Sequence, residues 1–518
     1  MKKVSLWVAA LAIASSACAQ QNTTAVKYAK LITAEDAKKH LSILASDEYE
    51  GRETGKPGAD KAAKYLAAEL KKLGLQAPVN GSYFLDIPLT ENALNISTFS
   101  INGQAFVNAQ DFFLNGLFAD KKVSAADIVF VGFGTATELD GTDLTGKVVL
   151  WINEDKPEEG KTPNTSYRMT AARQAVLKAI QAKSPAVILA ANGEIEGILK
   201  RFGSSIKGGR ISIKKDAGPK LSTQVPVFNV STAVADAILK PAGKTYADLK
   251  TAAATAKQTQ AVKSTAEIAY ATETKDVKAV DVLGFMPGSD AKLKEEVLVF
   301  SAHYDHIGLV TDPNAKDKVN NGADDDGSGT TGVLEIARAF SQAKKDGKGP
   351  KRSVLFLFNV GEEKGLLGSE YYTDHPVYPL ENTIADLNID MIGRVGEEYI
   401  GKPDSANTVY SIGSAMLSTD LHKISEDANN TYTKLKLDYK YDDPNDPNRF
   451  YYRSDHYNFA KHGVPIIFYF NGVHADYHQP GDEVSKINFP LLAKRAQLAY
   501  YTGWELANRD ARPVVDKK

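Results

Sequence analysis

Cysteine is nearly missing from this chain: there is one in 518 residues, at position 18. A single thiol excludes a disulfide framework and any zinc site built on cysteine, so a bound metal has to be held by histidine and carboxylate. An excess of one charge is missing too, with 62 Lys and Arg against 64 Asp and Glu, a formal charge of −2. Nucleic-acid binders need a basic surplus to neutralise phosphates, and this chain offers none. Beyond residue 19 no apolar run approaches the ~20 residues that a membrane helix requires. Disorder is excluded from the other side, because 43% hydrophobic residues with little net charge suffice for a large core. At about 100–200 residues per domain, the length implies two or three domains.

The chain opens with an export signal. Lys2 and Lys3 precede an apolar run, Val4–Ser15, and Ala17-Cys18-Ala19 fits a small-x-small cleavage site. Cleavage would leave Gln20 as the new terminus and, by removing two lysines, take the charge from −2 to −4. Residues 1–19 therefore read as a signal peptide and the mature protein as periplasmic or secreted. The alternative is a lipoprotein anchored at Cys18; Ser15-Ser16-Ala17 lacks the leucine of a usual lipobox, which favours plain export.

Three blocks follow. Residues 20–112 contain two helical stretches, one capped by Thr33 and one ending at Gly74, joined by the polar loop Glu50–Gly58. Residues 113–262 alternate short β-like runs with turns and a helix at Ala171–Ala182, and read as an inserted domain. From 263 to 518 the pattern is α/β: strands at Val297–Ala302, Val354–Asn359, Ile384–Asp390 and Val464–Phe470, with helices between and a closing helix at Phe489–Asn508. Such alternation predicts a mostly parallel central sheet flanked by helices, with ligands beyond the carboxyl ends of the strands.

Those strand ends carry the chemistry. They lead into His303-Tyr304-Asp305, Gly361-Glu362-Glu363, Asn388-Ile389-Asp390 and Tyr477-His478, while Asp324-Asp325-Asp326 opens a helix. Carboxylates gathered at one sheet edge repel one another unless a cation is present. Imidazole with carboxylate suits zinc, whereas calcium takes oxygen alone. An EF-hand register fails, because Gly322 stands at its first ligand position and Val333 where its glutamate belongs. Two zinc ions sharing one carboxylate and one water are a known hydrolytic centre. Asp325, Glu363, Asp390 and a bridging hydroxide balance their charge, which leaves Glu362 free to act as general base and acid. Asp305 is placed to orient the His303 ring. His306 stays open between site and scaffold.

These segments, with Gly322–Gly329 and Glu50–Gly58, resemble the co-catalytic two-zinc aminopeptidases. That family includes the bacterial secreted leucine aminopeptidases and, more distantly, glutamate carboxypeptidase, the non-catalytic transferrin receptor and glutaminyl cyclase. The resemblance implies that Asp325 bridges both ions and is joined to Asp326 by a cis peptide. It further implies that His303 and Asp390 complete one zinc, that Glu363 and His478 complete the other, and that Tyr477 hydrogen-bonds the tetrahedral intermediate. Arg453-Ser454-Asp455-His456 resembles another stretch near the family's site, so Arg453, Asp455 and His456 are expected at the substrate. The 113–262 block is similar to the mainly-β protease-associated domain of one branch.

The implied function is an exported metalloprotease, an aminopeptidase taking peptides with a free N-terminus. Alternatives are a carboxypeptidase or dipeptidase with the same two-zinc chemistry, a glutaminyl cyclase, and a non-catalytic peptide-binding module. The cyclase reading suffers from the inserted block, and the binding module would need a missing ligand or a missing Glu362.

Overall fold

The computed structural model describes residues 21–160, 162–310, 312 and 314–517, so the export signal expected at 1–19 lies outside the described residues. The chain divides into two compact units. One is formed by residues up to Ile87 together with Ala279–Val310 and Ala315 onward; the other is principally Pro88–Lys278. No helix among the described residues is long and apolar enough to cross a membrane.

The first unit is the α/β part. Its strands β1 (Val297–His303), β2 (Ser353–Asn359), β3 (Thr383–Ile389), β4 (Thr408–Ile412), β5 (Lys436–Asp438) and β6 (Ile466–Phe470) lie in the order β5-β4-β6-β3-β1-β2, continued by Ala266–Met286. The four central strands β6, β3, β1 and β2 are parallel and buried along their whole length. Coverage of both faces explains their nearly continuous Val, Leu, Ile and Phe sequences. Alternation sorts these side chains: Phe300 and Phe356 face the helices α1 (Gly327–Lys345) and α2 (Phe489–Asn508), whose Phe340 lies 5.8 Å from Phe300. Val299, Leu355 and Leu357 face the other way, against Tyr372 and Phe459. The flanking strands are antiparallel: β4 runs against β6, and Val282–Met286 against β2. Each expected strand of this unit begins and ends within about two residues of its observed place, and α2 spans the expected residues.

The second unit departs from expectation. Its sheet has the order Gln260–Val262, Ile128–Phe130, Val148–Ile152, Val187–Ala191, Val227–Val230, Phe112–Leu114, with the four inner strands parallel. Helices include Ala171–Gln181, Thr232–Leu239 and Tyr246–Thr255. The unit is mixed α/β rather than mainly β. The reason is local: Ala-rich stretches with helical spacing follow the capping residues Thr170 and Thr245, and parallel neighbours need crossover connections that helices supply. The compact unit is also wider than 113–262. Its limits fall inside two long strands, Phe84–Ile101 and Ala266–Met286.

Candidate metal centre

The parallel strands of the first unit deliver the expected residues to one end. His303 closes β1, Asp390 follows β3, and Glu362 and Glu363 follow β2 after Gly361. Gly361 makes that turn at φ +76°, where a side chain is strained, and a Cβ there would come within 3.2 Å of Leu367. Asp325 stands before α1, joined to Asp326 by a cis peptide as the resemblance implied.

Asp325 sits between two imidazoles. Its Oδ1 lies 3.3 Å from His303 Nε2, and its Oδ2 lies 3.0 Å from His478 Nε2. Asp390 Oδ2 is 3.6 Å from His303 Nε2, and Glu363 Oε2 is 3.1 Å from His478 Nε2. His306 joins the second group, with Nδ1 2.8 Å from Glu363 Oε1 and 3.8 Å from Asp325 Oδ2. Two clusters able to hold an ion result: His306, Asp325, Glu363 and His478, and His303, Asp326 and Asp390. Besides His306 Nε2, four atoms of the first cluster that face one another are buried without a hydrogen-bond partner: His306 Nδ1, Asp325 Oδ2, Glu363 Oε1 and His478 Nε2. Buried polar atoms are nearly always paired. Four unpaired ones converging from different loops fit a shared cation. Asp326 is different, because its oxygens accept the N–H groups of His303, Gly329 and Met391. It caps α1 and leaves Asp325 to complete the second cluster.

The electrostatics agree with this arrangement. Burial alone would lower His478, yet Asp325 and Glu363 beside it hold it at about 10. Burial and the neighbouring Asp325 push Glu363 up, but His306 and His478 bring it down to about 2. In the metal-free chain, protons on imidazole balance the carboxylates, the role a divalent ion takes when bound. Glu362 goes the other way: burial, with Glu363 and Asp390 nearby, raises it well above the usual carboxylate range. A raised carboxyl 3.8 Å from His303 Nε2 suits proton transfer.

Support comes from residues that sequence reasoning did not single out. Buried Arg52 donates to the carbonyls of Tyr304, Asn321 and Gly322, tying the Glu50–Gly58 loop to both metal-bearing loops. Thr54 donates to Asp305 Oδ2 at 2.6 Å, and Glu362 N–H reaches Asp305 Oδ1 at 3.3 Å. The expected orienting role of Asp305 is thus split: His303 Nδ1 is nearer its backbone oxygen, at 3.1 Å, than its carboxylate, at 3.6 Å. Ser454 donates to Asp390 Oδ2 at 2.6 Å. The resemblance of the Glu50–Gly58 and Arg453–His456 stretches to family segments was the only sequence signal for these contacts.

A small cleft opens over His303, Asp325, Glu362 and Asp390. Met391, Phe450, Phe468, Phe470 and Val473 line it together with Arg453 and Tyr477. Arg453 lies 4.7 Å over the Phe450 ring, and its Nη2 is 3.4 Å from the Tyr477 hydroxyl. Of the three residues expected at the substrate, only Arg453 lines this cleft. His456 is buried, donates from Nε2 to Tyr451 O at 2.8 Å and stacks on Phe468; burial pushes it down to about 3. Asp455 is equally enclosed, and burial raises its carboxyl to about 7. Both stand behind the site. His474 pairs with Asp324 at 3.1 Å.

Comparison with known proteins places this architecture. The chain is similar over 220 residues, at 29% identity, to a probable leucine aminopeptidase of Trichophyton verrucosum, covering 41% of this chain and 55% of that protein. It is 26% identical over 234 residues to aminopeptidase YwaD of Bacillus subtilis, covering 43% and 44%. The chain thus spans about half the length of the curated relatives it matches. Two solved structures share the fold at 18% identity: an aminopeptidase from Aneurinibacillus sp. strain AM-1, TM-score 0.53 over 95% of this chain and 98% of that one, and a Bacillus subtilis zinc aminopeptidase, TM-score 0.52 over 94% and 98%. Residues 281–502 match Peptidase family M28, and every side chain of the two clusters lies among them.

Proposed function

We propose that the protein is an exported zinc-dependent aminopeptidase that removes the first residue from peptides with a free N-terminus. The observation that carries this reading is Asp325 shared between two imidazole-carboxylate clusters, with Glu362 left over beside them and lining the same cleft. His303, Asp325 and Asp390 would hold one zinc ion, and Asp325, Glu363 and His478 the other. When bound, the ions polarise the scissile carbonyl and acidify water. Glu362 takes the proton of the attacking water and returns it to the leaving amine. Tyr477 donates its hydroxyl to the oxygen that gains charge. Met391, Phe450 and Phe470 receive an apolar first side chain. Relatives named as leucine and zinc aminopeptidases support the reading.

One observation favours a second reading. The Arg453 guanidinium at the cleft could instead clamp a substrate carboxylate, as a carboxypeptidase or dipeptidase requires. Mass spectrometry of products from peptides and their N-acetylated twins, with and without chelator, separates the two. Chelator-sensitive loss of the first residue from free peptides alone is expected. Cleavage of both twins from the C-terminus would replace the proposal with the carboxypeptidase reading. Loss of ammonia from N-terminal glutamine would replace it with a cyclase, and no change in metal-replete protein with a binding module.

A further inference from the structure

The reading above gives each metal position one imidazole. We infer that His306 is a third imidazole ligand, so that one position is a four-donor site of two imidazoles and two carboxylates while its neighbour has a single imidazole. The inference rests on the two-metal reading and extends it to an unequal pair.

His306 is fully buried, and neither of its ring nitrogens has a hydrogen-bond partner. Its Nδ1 approaches Glu363 Oε1 to 2.8 Å, yet the two atoms do not meet hydrogen-bond geometry and both remain unpaired. These two atoms, Asp325 Oδ2 and His478 Nε2 all lie within 4.8 Å of one another, close enough to share one ion. The ring is fixed in this pose. Its backbone N–H donates to Arg52 O at 3.1 Å, and its face lies against Gly322, where any Cβ would come within 2.6 Å of the ring carbons. The His478 ring stands 5.6 Å away at 74°, so the two imidazoles approach the Asp325-Glu363 pair edge to face. His303 has no such companion: its cluster adds only carboxylates.

The chemistry of the donors then orders the two positions. Imidazoles favour late first-row divalent ions over magnesium or manganese, so the first equivalent of zinc or copper enters the site of His306 and His478. The position of His303, Asp325 and Asp390, with Glu362 beside it, fills second and exchanges more readily.

The test uses the full-length, metal-free protein. One equivalent of Cu(II) is added, and pulsed EPR counts imidazoles through their remote nitrogens. Two are expected; one overturns the inference. Zinc titration by calorimetry should show two steps in the wild type. His306→Asn should weaken the tighter step by more than 100-fold, beyond the roughly 10–100-fold that a partner outside the coordination shell costs, and His303→Asn should remove the weaker step. A smaller loss in His306→Asn, together with a single imidazole in the copper spectrum, would make His306 only an orienter of Glu363. The copper experiment needs no variant and stands if His306→Asn fails to fold. A wild type that binds no divalent ion would overturn the proposed function as well; one that binds two ions with one imidazole each would overturn only this inference.

Discussion

Replacing Arg52 with Met tests how the Glu50–Gly58 loop is held. Arg52 is 1% exposed, and its guanidinium makes four hydrogen bonds of 2.7–2.8 Å, to the carbonyls of Tyr304, Leu44, Asn321 and Gly322. Burial lowers its pKa, offset by Asp326, Asp325, Asp482 and Asp305 nearby. Methionine fills similar space but donates nothing. At about 1.5 kcal/mol for each bond to a charged donor, four bonds amount to about 6 kcal/mol. Gly322 O keeps a second partner, the Gly327 N–H, and the variant is relieved of the desolvation of a buried charge. A net loss of about 3 kcal/mol remains, which at about 2–4 °C per kcal/mol lowers the melting temperature by about 6–12 °C. Differential scanning calorimetry of the metal-free protein measures it. Arg52→Lys keeps the charge without the fork and should fall between. A drop below about 2 °C in Arg52→Met would refute the argument that these four bonds hold the loop.

Three further outcomes follow from the site. Glu362→Gln should lower kcat by about 10²–10⁴ while zinc content, measured by elemental analysis, stays at the wild-type value; loss of zinc would make Glu362 a ligand. Tyr477→Phe should lower kcat by about 10²–10³ with little change in KM, and a pure KM effect in steady-state assays would move the hydroxyl to substrate binding. His456 has a folded-state pKa of about 3, below its unfolded value of about 6.5. Its contribution to stability is complete above the unfolded value and is lost as pH falls toward the folded one, by up to about 1.4 kcal/mol per pH unit. His456→Gln keeps the bond to Tyr451 O and removes that slope. Its melting curve in metal-free protein should therefore be flatter than the wild type's from about pH 6 to 4; parallel curves would count against the assignment.

The sequence is most legible where one periodicity repeats without interruption. β1, β2, β3 and β6 are solid apolar runs because both faces are covered, and α2 repeats its apolar positions for five turns. The ends of those strands deliver His303, Glu363 and Asp390 with no further information needed. His306 lies three residues past a strand, where alternation has ceased to say which way a side chain points. Its direction is set by Arg52 and by the space at Gly322, contacts that no local pattern announces. Arg52 and Thr54 act across some 250 residues of chain, on Tyr304 and Asp305. β5 is short and largely uncovered at the end of the sheet, and β4, though buried throughout, is broken by Thr408 and Ser411, so neither leaves an apolar run in the sequence. In the second unit, the alanine-, lysine- and threonine-rich helix Tyr246–Thr255 resembles linker composition, which hid part of its α/β character.

The stretch Arg453–His456 packs two kinds of constraint into four consecutive residues. Ser454 receives from Asn388 and gives to Asp390, and Asp455 and His456 are sealed behind the site, while Arg453 alone reaches the cleft. To natural selection these are very different positions. A mutation at 453 alters a side chain at the cleft whose contacts are with Phe450 and Tyr477, so descendants can drift there and acquire new diets. A mutation at 454 unsettles Asp390 first. Tolerance in this segment therefore changes abruptly from one codon to the next, and lineages that part in substrate choice should diverge at 453 well before they diverge at its neighbour.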